Sequence, residues 1–234
     1  MVDVVIPALN EEKSLPRVLG DLPWERIRQV LVVDNGSTDQ TARVAREAGA
    51  RVVSEPQRGY GAACLRGIEV LREDPPEILV FLDGDYSDHP EELLRVIAPI
   101  EAGDAELVIG SRTLGHRTAG ALLPQARLGN ALACVLMEWM YDYRFTDLGP
   151  FRAITWEALE ALGMADENYG WTVEMQIKAA RRQKSCVEVP VSYRKRVGTS
   201  KVTGTVRGTV LASVKILYTL GREYLDARSE KARE

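Results

Sequence analysis

Through the first half of the chain, short apolar runs alternate with amphipathic stretches. Val2–Ile6, Val30–Val33, Arg51–Ser54, Ile78–Leu82 and Glu106–Gly110 are brief, rich in β-branched residues, and cut off by polar or turn-forming residues, the pattern of buried strands. Between them lie segments of helical spacing: Glu11 to about Leu22, Gln40–Ala48 closed by Gly49, Gly61 to about Arg72, and Pro90–Ala102. Five such alternations predict an α/β fold, a mostly parallel central sheet flanked by helices and joined by right-handed crossovers. Pro7 is expected to end the first strand, Thr38 or Asp39 to cap the second helix, and Asp88 to cap the helix opened by His89-Pro90.

The second half is less regular. Thr113–Leu123 is a glycine-dotted loop of lid-like length. Pro124 opens a long helix to about Tyr141, with Leu128, Leu132, Val135, Leu136 and Trp139 at helical spacing. Two readings of that stripe are open, a buried or dimer-packing helix and an interfacial membrane helix. Thr146–Arg152 is a turn-rich junction into a strand, Trp171–Arg182 a helix carrying Glu174, and Val187–Tyr193 a strand. A basic run, Arg194–Lys201, precedes a last helix from about Thr205 to Tyr224, and 227–234 form a charged tail. One domain of residues 1–226 is expected, with 1–112 and 113–226 as its halves.

Composition narrows the function by exclusion. At 234 residues and net charge −4, the chain has no broad basic footprint for nucleic acid. Cys64, Cys134 and Cys186 are odd in number, lie in apolar or helical contexts and lack metal spacing, so reduced thiols in a cytoplasmic protein are expected. The start of the chain carries no leader pattern, and its most apolar stretch is about half the roughly 20 residues of a membrane span.

Candidate chemistry sits at strand ends. Leu82 runs into Asp83-Gly84-Asp85-Tyr86-Ser87-Asp88, and in an open sheet ligands bind outside the carboxyl ends of strands. Two hard oxygen ligands about a flexible glycine suit Mg²⁺ or Mn²⁺ with phosphate oxygens; a solvated acidic turn is the plainer alternative. Asp34 repeats the strand-end carboxylate, Arg58-Gly59-Tyr60-Gly61 offers backbone at a helix N-terminus, and Ser111-Arg112 ends the fifth strand. Pro7-Ala8-Leu9-Asn10 stands where a dinucleotide fingerprint would need glycines, which disfavours a nicotinamide enzyme.

Together Val5–Glu12, Val33–Asp39, Arg58–Ala62, Asp83-Gly84-Asp85 and Gly110-Ser111-Arg112, with Asp147–Arg152 and Gly198–Lys201, resemble family-2 glycosyltransferases of the A-type fold, most closely the dolichyl- or polyprenyl-phosphate mannose and glucose synthase branch. The resemblance spans nearly the whole chain. It implies a Rossmann-like nucleotide-binding half in which Pro7, Leu9, Glu11, Val32, Asp34, Arg58, Gly61, Asp83 and Gly84 hold a UDP- or GDP-type sugar. Asp83 and Asp85 would ligate Mg²⁺ or Mn²⁺, with Ser87 near the third ligand position, often filled by Gln in the family. Arg112, Arg196 and Lys201 would neutralise donor diphosphate and acceptor phosphate, although a solvated loop is the plain reading of the basic run. The implied reaction is inverting hexosyl transfer to a polyprenyl phosphate, with peripheral contact at the inner membrane face and a possible homodimer. Two alternatives stand beside it: transfer to a soluble or saccharide acceptor with Glu174 as base, and a nucleotide-sugar-binding module without turnover.

Overall fold

The computed structural model describes residues 1–198, 215–216 and 218–223. Seven strands form one sheet in the order β3-β2-β1-β4-β6-β5-β7. In chain order these are β1 (Val2–Ala8), β2 (Gln29–Asp34), β3 (Arg51–Ser54), β4 (Ile78–Phe81), β5 (Leu107–Ser111), β6 (Arg152–Thr155) and β7 (Cys186–Pro190). β1 pairs in parallel with β2 and β4, β2 with β3, and β5 with β7. β6 alone is antiparallel, wedged between β4 and β5. It runs the other way because the chain enters it from the carboxyl edge, where the 146–151 turn lies, and this strand separates β4 from β5.

Side chains alternate across the strands, so each face carries its own core. Val5, Leu31, Val33, Leu79, Phe81 and Ile109 pack against α3 (Tyr60–Leu71), α5 (Pro124–Tyr141), α6 (Trp156–Leu162) and α7 (Trp171–Arg181). Val4, Ile6, Val30, Val32, Val80 and Val108 face α1 (Leu15–Gly20) and α4 (Leu93–Glu101), while α2 (Thr41–Glu47) lies beside β2 and β3. With both faces covered, only the strand ends remain for a site.

Four local expectations change. Neither Thr38 nor Asp39 is the cap of α2: Gln40 holds that position, and the Asp39 carboxylate accepts the Thr41 N–H and hydroxyl from one residue further out. Pro7 does not end β1, which continues to Ala8. Pairing with β4 stops at Val5↔Phe81, and Pro7 shares the side on which the Val5 carbonyl bonds Leu82, so its missing N–H falls where no strand follows. Asp88 is not a helix cap: His89 holds that position, before a short 3₁₀ turn Pro90–Glu92 leading into α4. α6 is an element the pattern did not announce, seven residues started by Thr155, whose hydroxyl accepts the Ala158 N–H. Of the expected last helix, 215–216 and 218–223 are helical, and its other positions lie outside the described residues.

Candidate active site

The carboxyl ends of β1, β2 and β4 open onto a cavity of about 360 Å³. Pro7, Leu9 and Glu11 line it from the β1 end, Asn35 from the β2 end, Asp83, Gly84 and Asp85 from the β4 end, and Arg58, Gly59 and Tyr60 from the start of α3. Asn168, Tyr169 and Arg196 reach it from the second half of the chain. Asp34 stands beside Asn35, half-buried, and its carboxylate accepts the Ser37 N–H at 3.0 Å. Asn35 ties this edge together, donating to the Glu55 and Gln57 carbonyls and accepting the Gly59 N–H at 2.9 Å.

The entry to α3 explains its glycines. Gly59 has φ +153°, and a Cβ there would lie 2.1 Å from the Glu167 carbonyl oxygen. A Cβ at Gly61 would lie 1.9 Å from the Asp166 carbonyl, so Gly61 acts by admitting the 165–170 turn and does not itself line the cavity. That turn, which brings Asn168 and Tyr169 to the site, is clamped from below by Glu174. The fully buried Glu174 carboxylate accepts the Ala165 and Asp166 N–H groups and pairs with Lys178 at 2.8 Å and Arg222 at 3.6 Å. This corrects the expectation that Glu174 is a base: a fully buried carboxylate whose oxygens are occupied by amides and cations beneath a turn has no access to an acceptor hydroxyl. Val32 is corrected too, because its side chain is buried in the core beside Val4 and Ile6.

Three carboxylates gather at the end of β4. Asp83 is half-buried with its Oδ1 shielded from solvent and unpartnered, and that desolvation, then the field of Asp85, pushes it up to about 7. Asp88 is buried with both oxygens unpartnered, and burial, then Asp83 and Asp85, raise it well above the ordinary range. Asp85 Oδ1 accepts both the N–H and the hydroxyl of Ser87. The Ser87 hydroxyl is therefore spent on holding Asp85, and Asp88, one residue on, has the unused oxygens. Among the described residues no three His, Cys, Asp or Glu side chains are already gathered as a metal cage. The unpartnered oxygens of Asp83 and Asp88, beside an Asp85 carboxylate that repels them, nonetheless fit a divalent cation that draws the rest of its coordination from a ligand's oxygens.

A strip of chain after β7 lies across these carboxylates. The Arg194 N–H donates to the Ser87 carbonyl at 2.8 Å and the Val197 N–H to the Asp85 carbonyl at 2.9 Å, while Tyr193 bridges Asp88. The Arg194 guanidinium sits 3.5 Å from the centre of the Tyr86 ring and donates to the Tyr86 and Asp88 carbonyls. The strip delivers Arg196, whose Nη2 is 2.9 Å from Asp85 Oδ2 and 3.5 Å from Glu11 Oε1. Lys201, expected to act beside it, lies outside the described residues.

Arg112 takes a different place from the one expected. Its Nε and Nη2 donate to the two carboxylate oxygens of Asp147 at 2.8 and 2.7 Å, and its guanidinium faces the Tyr193 ring at 5.1 Å. Both partners are buried, behind the cavity wall, so Arg112 supports the Tyr193 strip and is not a lining residue. Sequence reasoning missed Asn35, Asp88, Asn168, Tyr169 and Tyr193. Asp88 had a readable signal: Pro90 at the first helical position makes residue 89 the cap and leaves Asp88 without a structural job.

The model of glycosyl transferase family 2 matches residues 3–142. A glycosyltransferase of Mycobacterium tuberculosis of uncharacterised activity is 41% identical over 217 residues, 90% of this chain and 94% of that one. An undecaprenyl-phosphate mannosyltransferase of Micrococcus luteus is 33% identical over 232 residues, covering 90% of each chain. Among solved structures, glucosyl-3-phosphoglycerate synthase from Mycobacterium tuberculosis, in complex with Mn²⁺, UDP and phosphoglyceric acid, superposes with a TM-score of 0.77 over 96% of this chain and 78% of that one. At 22% identity that likeness speaks for the fold. The family match covers more than half of the chain and the relatives nearly all of it, and the protein belongs to glycosyl transferase family 2.

Proposed function

We propose that this protein transfers a hexose, with inversion, from a UDP- or GDP-type nucleotide sugar to a polyprenyl phosphate. The observation that carries the reading is the crossing of the Arg194–Arg196 strip over Asp83, Asp85 and Asp88, which sets a cation where a diphosphate would approach these carboxylates. The Micrococcus luteus relative supports the acceptor class by its own activity.

Pro7, Leu9, Glu11, Asp34 and Asn35 would surround base and ribose, and the backbone at Gly59 would approach the donor at the N-terminus of α3. Mg²⁺ or Mn²⁺, held by Asp85 with Asp83 or Asp88, supplies charge neutralisation for the departing diphosphate when bound. Arg196 is within reach to exchange Asp85 for a phosphate oxygen, donating charge-assisted hydrogen bonds to it. An oxygen of the acceptor phosphate attacks the anomeric carbon while the bond from that carbon to the diphosphate oxygen breaks, its electrons leaving with the nucleoside diphosphate. The acceptor is already an anion at pH 7, so no proton has to be removed and the displaced role of Glu174 needs no replacement. The protein would work in the cytoplasm against the inner membrane face.

A second reading, a small phosphorylated acceptor, is favoured by the fold it shares with a synthase crystallised with phosphoglyceric acid. One experiment separates them: UDP-glucose and GDP-mannose, each labelled in the sugar, with Mn²⁺ and either polyprenyl phosphate or phosphoglyceric acid. Label extracted into organic solvent supports the lipid acceptor, and label confined to water in both arms defeats it.

A further inference from the structure

The apolar stripe of α5 faces outward. Leu128, Leu132, Val135 and Trp139 are 73%, 49%, 61% and 77% exposed, while the smaller Ala133 and Cys134, with Met137, take the core side. Residues at i, i+4, i+7 and i+11 share one face, so the four form a continuous ridge. Leu114 and Leu123, also exposed, lie on the loop that runs from the end of β5 to the start of α5. That loop is stitched to the strip that covers the carboxylates: Thr118 N–H donates to the Tyr193 carbonyl at 2.9 Å, and Tyr193 N–H to the His116 carbonyl at 2.8 Å. A large exposed apolar patch joined to a site marks an interaction surface.

Charge identifies the partner. From Thr113 to Met137 there is no carboxylate, although the chain carries 34 Asp and Glu residues and a net charge of −4. The charged groups in that stretch are Arg127, exposed on α5, and Arg117, half-buried; Lys195 adds its side chain beside Gly120. Carboxylates return with Glu138 and Asp142, at the far end of the helix. A dry contact between protein copies asks for an apolar face alone. An anionic lipid surface asks for an apolar ridge, bordering cations and the exclusion of carboxylates, and it suits an amphipathic Trp ring at the boundary.

We propose that this face of α5, with Leu114 and Leu123, rests on an anionic bilayer surface, the helix lying in the plane of the headgroups. The proposal rests on the lipid-phosphate acceptor reading, for an acceptor phosphate at headgroup depth is reached only if the rim of the site sits flush with the membrane.

The test uses sedimentation with vesicles of phosphatidylcholine alone or mixed with phosphatidylglycerol. Wild type is expected to pellet with the mixed vesicles, to be released by salt, and to show a blue shift of Trp fluorescence that Trp139→Phe removes. Leu128→Gln with Val135→Gln, checked for native circular dichroism, should lose vesicle binding about tenfold. It should lose transfer to vesicle-embedded polyprenyl phosphate to match, yet keep transfer to a short-chain, water-soluble prenyl phosphate. Vesicle binding without transfer to either prenyl phosphate would sink the acceptor reading and leave the surface standing. No vesicle binding by wild type, or a wild-type dimer that the double variant breaks while vesicle binding persists, would overturn the surface.

Discussion

Two arginine–aspartate pairs stand near the same sheet edge and are built oppositely. Arg112 and Asp147 meet through two parallel hydrogen bonds, the carboxylate fully buried, and further N–H groups of Arg112 and Leu148 fill the remaining acceptor positions of Asp147. Arg196 and Asp85 meet through one contact at 2.9 Å, on a strip after β7, with the guanidinium partly in solvent and its Nε unpartnered. The first pair is saturated on its carboxylate, which has no acceptor position left for a metal, while the Arg112 guanidinium is held in place through Nε and Nη2. The second is unsaturated on both sides, as a cation and a carboxylate must be if each is to change partner when a metal and a diphosphate arrive. Sequence proximity to a motif does not separate these cases; hydrogen-bond saturation does.

The sharpest break of the comparison is Asp85→Ala. Removing a carboxylate used for charge stabilisation of a leaving diphosphate should lower turnover by about a thousandfold or more, since such stabilisation amounts to several kcal/mol. Thermal unfolding with EDTA present should move little, because the bonds lost by the Ser87 N–H and hydroxyl are offset by relief of the repulsion on Asp83 and Asp88, and the freed Arg196 guanidinium reaches water. Wild-type turnover under saturating Mn²⁺ would sink the assignment. The other pair should respond in the opposite currency: Asp147→Ala leaves Arg112 buried and uncompensated, a loss of about 3–5 kcal/mol. For a domain of this size that lowers Tm by on the order of 10 °C. A Tm within about 2 °C of wild type would mean that Arg112 is free enough to serve a phosphate after all.

The strands that build the nucleotide half were legible because a buried parallel strand leaves little choice of residue, and Asp83 and Asp85 because charge at a strand end has no packing use. What was not legible depends on contacts far apart in sequence. Nothing local to Asp147 announces that it will consume Arg112, and nothing in Trp171–Arg181 reveals that Glu174 clamps the turn at 165–170. Periodicity placed the ends of α5 at Pro124 and Tyr141 yet not its orientation: a stripe of large apolar residues and one of small ones are both compatible with a core face, and the small one was buried. The antiparallel β6 was hidden for the same reason, its neighbours β4 and β5 being distant in the chain.

Arg196→Ala sharpens the comparison by testing exchange itself. If Arg196 and a metal compete for Asp85, the variant should bind Mn²⁺ a few-fold more tightly in the absence of nucleotide, by calorimetric titration. It should also lose about tenfold or more in transfer to polyprenyl phosphate, a charge-assisted hydrogen bond contributing roughly 1.5–3 kcal/mol. Slow hydrolysis of the same nucleotide sugar by water should suffer less, because no second anion enters. Equal losses in the two reactions would refute the phosphate-acceptor reading while leaving glycosyl transfer intact.

The smallest expected effect is a pH dependence that only the unsaturated side of the site can produce. Asp83 rises from an ordinary value near 3.8 to about 7 in the folded protein, through burial first and the field of Asp85 second. Between those values the folded state holds a proton that the unfolded chain has released, so stability present below about pH 4 is lost as pH rises through about 7. Asp88, raised by the same causes, adds to the loss in the same direction. With EDTA present, Tm should therefore fall between pH 5 and 8 by a few degrees, taking roughly 2–4 °C per kcal/mol. Asp83→Asn should flatten that slope without abolishing it, because Asp88 remains. Manganese affinity should run the other way and tighten as pH rises through 7, since the ion must displace the proton to reach the carboxylate. A Tm that rises over this interval in the metal-free protein would mean that the carboxylates are already ionised and paired, and the case for them as cation ligands would lose its physical basis.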